Sequence, residues 1–285
     1  MVFGAKGQVG TALRDSAPQK VAVVYMDASD CDITDAGAVS SAVTYTQPQL
    51  IINAAAYTAV DKAETDKEAA HAVNVEGTRN LAAAASEVGA RLVHISTEYV
   101  FDGTATSPIK PDATPNPLSV YGETKWRGEQ AALAANPGRT IVIRTSWVYS
   151  STGSNFVKTM LRLLAERDEL SVVVDQVGSP TSASSLARAI WDFAYAQDAS
   201  GTFHWCDAGA TTWFDFAVEI QRQGLEAGIL QKKIPIRPIP TTQYPTPARR
   251  PEYGVLDCSA SCELIGRAPS PWQDNLKHVI TELSK

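Results

Sequence analysis

Residues 1–10, MVFGAKGQVG, decide the fold: they space Gly4, Gly7 and Gly10 three apart, behind an apolar lead-in and ahead of the helix-compatible run 8–13, which begins Gln8-Val9. That order predicts strand, turn and helix. In such a turn the first glycine permits a sharp bend, the second lets backbone approach a pyrophosphate, and the third lets helix and strand pack closely. The helix N-terminus then presents N–H groups to an anion. A glycine-rich turn with no ligand fits the same spacing, so the motif needs a βαβ setting to carry weight. The lead-in is short. Met1, Val2 and Phe3 fall below the usual strand length of about 5–6 residues, so either the chain starts late or this strand is clipped.

The setting is supplied downstream. Apolar runs at 21–26, 50–52, 91–95 and 141–143 alternate with helix-period segments such as 68–88, whose alanine-rich centre favours helix. Alternating strands and helices imply a parallel sheet. After about Ser150 the texture changes to helices at 155–167, 182–196, 213–228 and 272–283 with short apolar strands at 172–174 and 203–205. The stretch IPIRPIPTTQYPTPARRP, 234–251, excludes regular helix and central strand through its prolines. The expected architecture is α/β: a Rossmann-type doubly wound parallel sheet over 1–149 and a smaller C-terminal substrate-binding lobe over 150–285, with part of 171–206 returning to the sheet.

Composition narrows the function classes. A chain of 285 residues with 44% hydrophobic and 20% charged residues suits one large or two closely joined globular domains, not a disordered or fibrous protein. A net charge of −6 with scattered Lys and Arg argues against a nucleic-acid partner. Cys31, Cys206, Cys258 and Cys262 form no CxxC pair and predict reduced thiols. His71, His94, His204 and His278 lack metal-ligand spacing, so no metal and no histidine catalysis is expected. No apolar run approaches the ~20 residues that cross a bilayer, which predicts a cytoplasmic protein with no membrane contact.

Two segments carry chemistry. In VYGETKWRGE, Tyr121 and Lys125 stand four apart with helical periodicity and share a face. An ammonium beside a phenol favours phenolate and makes Tyr a usable proton donor or acceptor, though a surface Tyr and Lys on one helix would show the same spacing. In HISTEYVFDG, Ser96, Thr97 and Glu98 emerge at a strand's carboxyl end, where open α/β sheets bind ligands. A Thr97 hydroxyl there could orient a carbonyl oxygen near Tyr121. Asp27, about 20 residues beyond the glycine loop, is placed to accept bonds from ribose hydroxyls, and as an acid it disfavours a 2′-phosphate.

The glycine loop, the strand-end Thr97 and the Tyr121/Lys125 helix, in this order, resemble the extended short-chain dehydrogenase/reductase family. NAAAYTAVDKAE from Asn53, STEYVFDG from Ser96, VYGETK from Val120, RTSWVY from Arg144, NFVKTMLRL from Asn155, DQVGSPT from Asp175 and PTPARRP from Pro245 are similar to the branch of that family that reduces a keto dTDP-sugar. The resemblance spans nearly the whole chain. It implies NADH or NADPH as cofactor, with NADH favoured by Asp27, and reduction of the 4-keto group of dTDP-4-dehydro-6-deoxy-L-mannose to dTDP-L-rhamnose. It implies Thr97, Tyr121 and Lys125 as catalytic residues, with Tyr121 donating the proton. Gly4, Gly7, Gln8, Val9, Gly10, Asp27, Asp32, Ile33, Ala54, Ala55 and Tyr57 join Tyr121 and Lys125 as cofactor contacts. Thr97, Glu98, Trp147, Arg249 and Arg250 become substrate contacts, with one of the two arginines expected to be structural.

Two positions depart from the family pattern: Glu98 stands where Asp is commoner, and Ala12 where some members carry a Glu for a divalent ion at a dimer interface. No divalent ion is therefore expected, and the chain is expected as a monomer or homodimer. Rival expectations are a nucleotide-sugar epimerase or dehydratase of the same fold, or a non-catalytic cofactor-binding regulatory subunit. Dehydratases of the family usually carry an Asp-Glu pair after the Thr, and here Glu98 is followed by Tyr99.

Overall fold

In the computed structural model, which describes residues 1–196 and 198–285, six parallel strands form the central sheet. Strand β1 is Val2–Phe3, β2 Tyr25–Met26, β3 Leu50–Asn53, β4 Arg91–Thr97 and β5 Thr140–Thr145, and Gly201–His204 completes the sheet beside β5. The spatial order is β2-β1-β3-β4-β5 followed by the Gly201–His204 strand. Strand order reverses between β1 and β3, and in open α/β sheets the crevice at such a reversal is where ligands bind.

Strand β1 has only two residues, yet it is central: Val2 and Phe3 pair with Tyr25 and Met26 on one side and with Ile52 and Asn53 on the other. Its shortness limits its neighbour. The apolar run 21–26 predicts a longer strand, but only Tyr25–Met26 forms one, because β1 offers just two residues to pair with. Val21 and Val24 are left 41% and 40% exposed.

Period-two alternation assigns each strand's side chains to two apolar layers. Phe3, Ile51 and Leu92 face one side with Leu81 and Ala132. Val2, Ile52 and Val93 face the other with Leu186 and Ile190. Each such buried aliphatic side chain contributes about 1.5–3 kcal/mol. The first layer is covered by helices Thr78–Glu87 and Val120–Ala135, the second by helix Ala183–Tyr195, which packs on the first helix, α1 (Gln8–Asp15), and bonds Trp191 Nε1 to the Leu13 carbonyl at 3.2 Å.

A third apolar cluster, including Tyr149, Leu164, Phe216, Ile220 and Leu276, lies beyond β5. The helices predicted after residue 150 form as Phe156–Glu166, Ala183–Tyr195, Trp213–Glu226 and Trp272–Leu283. Asn155, Ser182 and Thr212 cap the first three through side-chain oxygens. The proline-rich stretch contributes strand Ile236–Ile239, paired only with Leu170–Val173. With a single partner, Pro238 costs no ladder bond on its open side. All four cysteines are free. Among the described residues no helix is long and apolar enough to cross a membrane.

Candidate active site

The loop after β1 and the start of α1 form one wall of a cleft of about 550 Å³. Gly4 has φ +80°, and a Cβ there would lie 2.5 Å from the Ala55 nitrogen. A Cβ on Gly10 would lie 2.2 Å from the Gly4 carbonyl oxygen. The loop is therefore pressed between the Ala54–Ala55 backbone and its own helix, as a pyrophosphate turn requires. Gly7 caps α1 without a side-chain acceptor, leaving the first N–H groups for an anion. These residues fit a dinucleotide.

Gly7, Gln8, Val9 and Ala54 line the cleft. Gln8 does more than line it: its Oε1 accepts from Ser150 Oγ at 2.9 Å and Asn155 Nδ2 at 2.8 Å, tying α1 to the C-terminal portion. Ala55 packs against Gly4, and its N–H bonds Asn53 Oδ1 at 3.1 Å. Tyr57 is held by Asn74, which accepts its N–H at 2.8 Å and also donates to Thr124 Oγ1 at 3.1 Å. Asn74 thus joins the loop after β3 to the Tyr121/Lys125 helix. Asp32 spends its carboxylate on Thr34 of its own turn, and Ile33 is buried in the layer with Phe3; neither lines the cleft. Asp27 follows β2 as expected. It pairs with Lys6 of the glycine loop at 3.2 Å, and Lys6 also donates to Ser29 Oγ at 3.0 Å.

The catalytic candidates converge on the same cleft. Strand β4 ends at Thr97, whose hydroxyl donates to Glu98 Oε2 at 2.8 Å and accepts the Tyr99 N–H at 3.2 Å. Ser119 caps helix Val120–Ala135, which presents Tyr121 and Lys125 one turn apart. Tyr99 meets Tyr121 edge to face at 5.4 Å.

The electrostatics correct one expectation. The Tyr121 phenol is not lowered on balance: desolvation in the cleft, then the neighbouring Glu98, pushes it above its ordinary value. Lys125 Nζ donates to the Ile95 carbonyl at 2.7 Å. Burial lowers Lys125 itself to about 8 and raises the Glu98 carboxyl to about 8.

On the substrate side, Trp147 sits at φ +48°. Such a backbone costs about 1–3 kcal/mol in a non-glycine residue and persists only where the surroundings enforce it. Here Trp147 stacks on Trp213 at 3.5 Å and 9°, and Phe156 lies 4.6 Å from Trp213. Arg250 lines the cleft and is braced by Asp61 at 2.9 Å, whereas Arg249 is exposed and outside the lining. Phe156, Trp213 and Arg250 also border an adjoining groove of about 440 Å³.

Residue reasoning missed Lys6, Asn74, Trp213 and His94. Trp213 shows itself only as a helix start. His94 is wholly buried and reaches Lys125, and a lone polar residue inside an apolar strand is the signal that a buried partner exists. Among the described residues no three or more His, Cys, Asp or Glu side chains gather as a metal site.

The model of the family described as RmlD substrate binding domain matches residues 1–285. The chain is 40% identical over 292 residues to the dTDP-4-dehydrorhamnose reductase of Escherichia coli (strain K12), covering 99% of this chain and 97% of that protein. It superposes with a TM-score of 0.93 on the crystal structure of a dTDP-4-dehydrorhamnose reductase from Clostridium acetobutylicum, at 42% identity over 100% of this chain and 99% of that one. A Bacillus anthracis dTDP-4-dehydrorhamnose reductase solved with NADP gives a TM-score of 0.92 at 36% identity, over 99% and 98% of the two chains. The chain belongs to the RmlD substrate binding domain family, alongside the dTDP-4-dehydrorhamnose reductases that it matches along its whole length.

Proposed function

We propose that this enzyme reduces the 4-keto group of dTDP-4-dehydro-6-deoxy-L-mannose to give dTDP-L-rhamnose, using a reduced nicotinamide cofactor. The observation that carries this reading is the meeting of Thr97, Tyr121 and Lys125 with the glycine loop in one cleft of a chain that the family model matches over residues 1–285.

The bound nicotinamide supplies the hydride. Tyr121 and Thr97, its hydroxyl hydrogen turned from Glu98 to the substrate, hold the carbonyl oxygen, and Tyr121 passes it a proton, so the oxygen never carries a full charge. A phenol held above its ordinary value is fully protonated at neutral pH, the form a donor requires. Lys125 steadies the Tyr121 side of the cleft and the cofactor ribose. Arg250, braced by Asp61, grips the diphosphate with its guanidinium. Trp147 and Trp213 offer the sugar a flat apolar wall.

For the cofactor, Asp27 favours NADH by accepting from ribose hydroxyls. The Lys6 ammonium beside it, 68% exposed and free to swing, softens the repulsion an isolated acid would give a 2′-phosphate. Both cofactors are therefore used, with NADH ahead.

The deciding experiment mixes purified enzyme, NADH and the keto sugar nucleotide made in situ, following absorbance loss and product. NADH oxidation with dTDP-L-rhamnose formed supports the reading. Tight NADH binding without turnover points instead to a regulatory subunit.

A further inference from the structure

Beneath the cleft runs a buried polar chain that the mechanism above does not use. Asn53 ends β3 and His94 lies opposite it on β4, in register. Both are 0% exposed, and both face the layer covered by the Tyr121/Lys125 helix. Asn53 Nδ2 lies 3.1 Å from His94 Nδ1 and 3.3 Å from Thr78 Oγ1. His94 Nε2 lies 3.5 Å from Lys125 Nζ.

The hydrogen-bond inventory fixes the protons. Asn53 Oδ1 accepts the Ala55 N–H at 3.1 Å, so the amide is oriented with its NH₂ toward His94. An amide NH₂ only donates, so His94 Nδ1 must be the bare nitrogen. A neutral ring then carries its hydrogen on Nε2, facing Lys125. An N–H opposite an ammonium is donor against donor. Opposite a neutral amine it finds a lone pair.

We propose that Asn53 and His94 are positioning residues that, by locking one imidazole tautomer, bias Lys125 toward its neutral form and hold its amine at the Ile95 carbonyl. The proposal rests on the catalytic reading of Lys125 given above. Burial alone keeps His94 well below its ordinary value, so the ring stays neutral whichever form Lys125 takes. Other groups around Lys125 do not supply this bias. Glu129, one turn along the helix, would favour the ammonium, but its carboxylate is engaged by Arg144 of β5 at 2.7 Å and by Ser96 of β4. Asn74 and Thr78, from the neighbouring helical segment, are uncharged, and Tyr121 and Glu98 lie on the cleft side. Because Ala55 packs on Gly4, the same chain links the dinucleotide loop to the lysine.

Two readouts test this. Protein containing histidine labelled with heavy nitrogen reports the ring tautomer by NMR without any substrate: His94 is expected as Nε2–H. The pH profile of NADH-dependent turnover reports Lys125 when it is read in a Glu98→Gln background, which removes the other cleft group raised to about 8. His94→Gln turns an amide oxygen to the ammonium, and Asn53→Asp accepts from Nδ1–H and frees Nε2 to accept. Each is expected to move the alkaline limb up by about 0.5–1 pH unit, a roughly three- to tenfold gain in proton affinity. Asn53→Asp should also move the ring hydrogen to Nδ1. A wild-type ring found as Nδ1–H overturns the proposal, as does an unmoved limb in both variants when they melt like wild type. If a variant fails to fold, the wild-type spectrum decides alone. That spectrum also separates this proposal from the function, since absence of turnover would sink the latter and leave the tautomer readable.

Discussion

Tyr121 and Lys125 share a helical face, yet Lys125 Nζ bonds the Ile95 carbonyl at 2.7 Å while Tyr121 faces the cleft among Thr97, Glu98 and Tyr99. The two side chains therefore part: the phenol faces the cleft, and the lysine nitrogen is held at the backbone of β4. Replacing Tyr121 with Phe keeps the ring and removes the proton. Turnover is expected to fall roughly 10²–10⁴-fold, the cost of losing a general acid, while titration shows NADH binding nearly intact. Equal turnover in the variant would remove Tyr121 from the mechanism.

The Lys6–Asp27 pair gives a second, opposed set of outcomes. Asp27→Ala removes the ribose acceptor and leaves the ammonium, so the NADPH-to-NADH ratio of kcat/KM should rise about tenfold. Lys6→Ala uncovers the acid and should lower that ratio roughly threefold, less because the lysine is exposed. Steady-state kinetics with both cofactors check the two signs together; a shift in the same direction for both would refute the assignment.

What the sequence discloses is what local pattern controls. Strands β3, β4 and β5 announce themselves because apolar runs buried on both faces need no partner to be recognised. Thr97 shows itself by ending such a strand, and Tyr121 and Lys125 by standing one helical turn apart. Strand β2 is misjudged because its length depends on β1, not on its own residues. Lys6 meets Asp27, and Trp213 meets Trp147, only once strands adjoin and helices fold back. His94 has no metal-ligand spacing in the sequence, and its partners, Asn53 on the next strand and Lys125 on the covering helix, come from distant segments.

Arg250 and Arg249 are adjacent in sequence and separated in placement. Arg250 lines the cleft with Asp61 behind it, and Arg249 points to solvent. Arg250→Ala is expected to raise KM for the sugar nucleotide about 10–100-fold through loss of a charge-assisted contact. Calorimetry should give an unaltered Kd for NADH. Arg249→Ala should change neither value; a large KM effect from Arg249 alone would reverse the assignment.

Glu98 carries a stability cost whose sign follows from its burial. Its carboxyl is 3% exposed and is raised from 4.5 to about 8, chiefly by desolvation, against the relief of the Thr97 hydrogen bond. Between those values the folded state binds more proton than the unfolded chain, so stability falls as pH rises through the window. The penalty is absent below about 4.5 and complete above about 8. Glu98→Gln keeps the shape and an acceptor for the Thr97 hydroxyl but cannot ionise. Its melting temperature should exceed that of wild type at alkaline pH, and the difference should shrink to nothing as the pH falls toward the ordinary carboxylate range. Thermal unfolding of both proteins across that range checks it. A gain that is constant with pH would mean that packing, not ionisation, separates the two side chains.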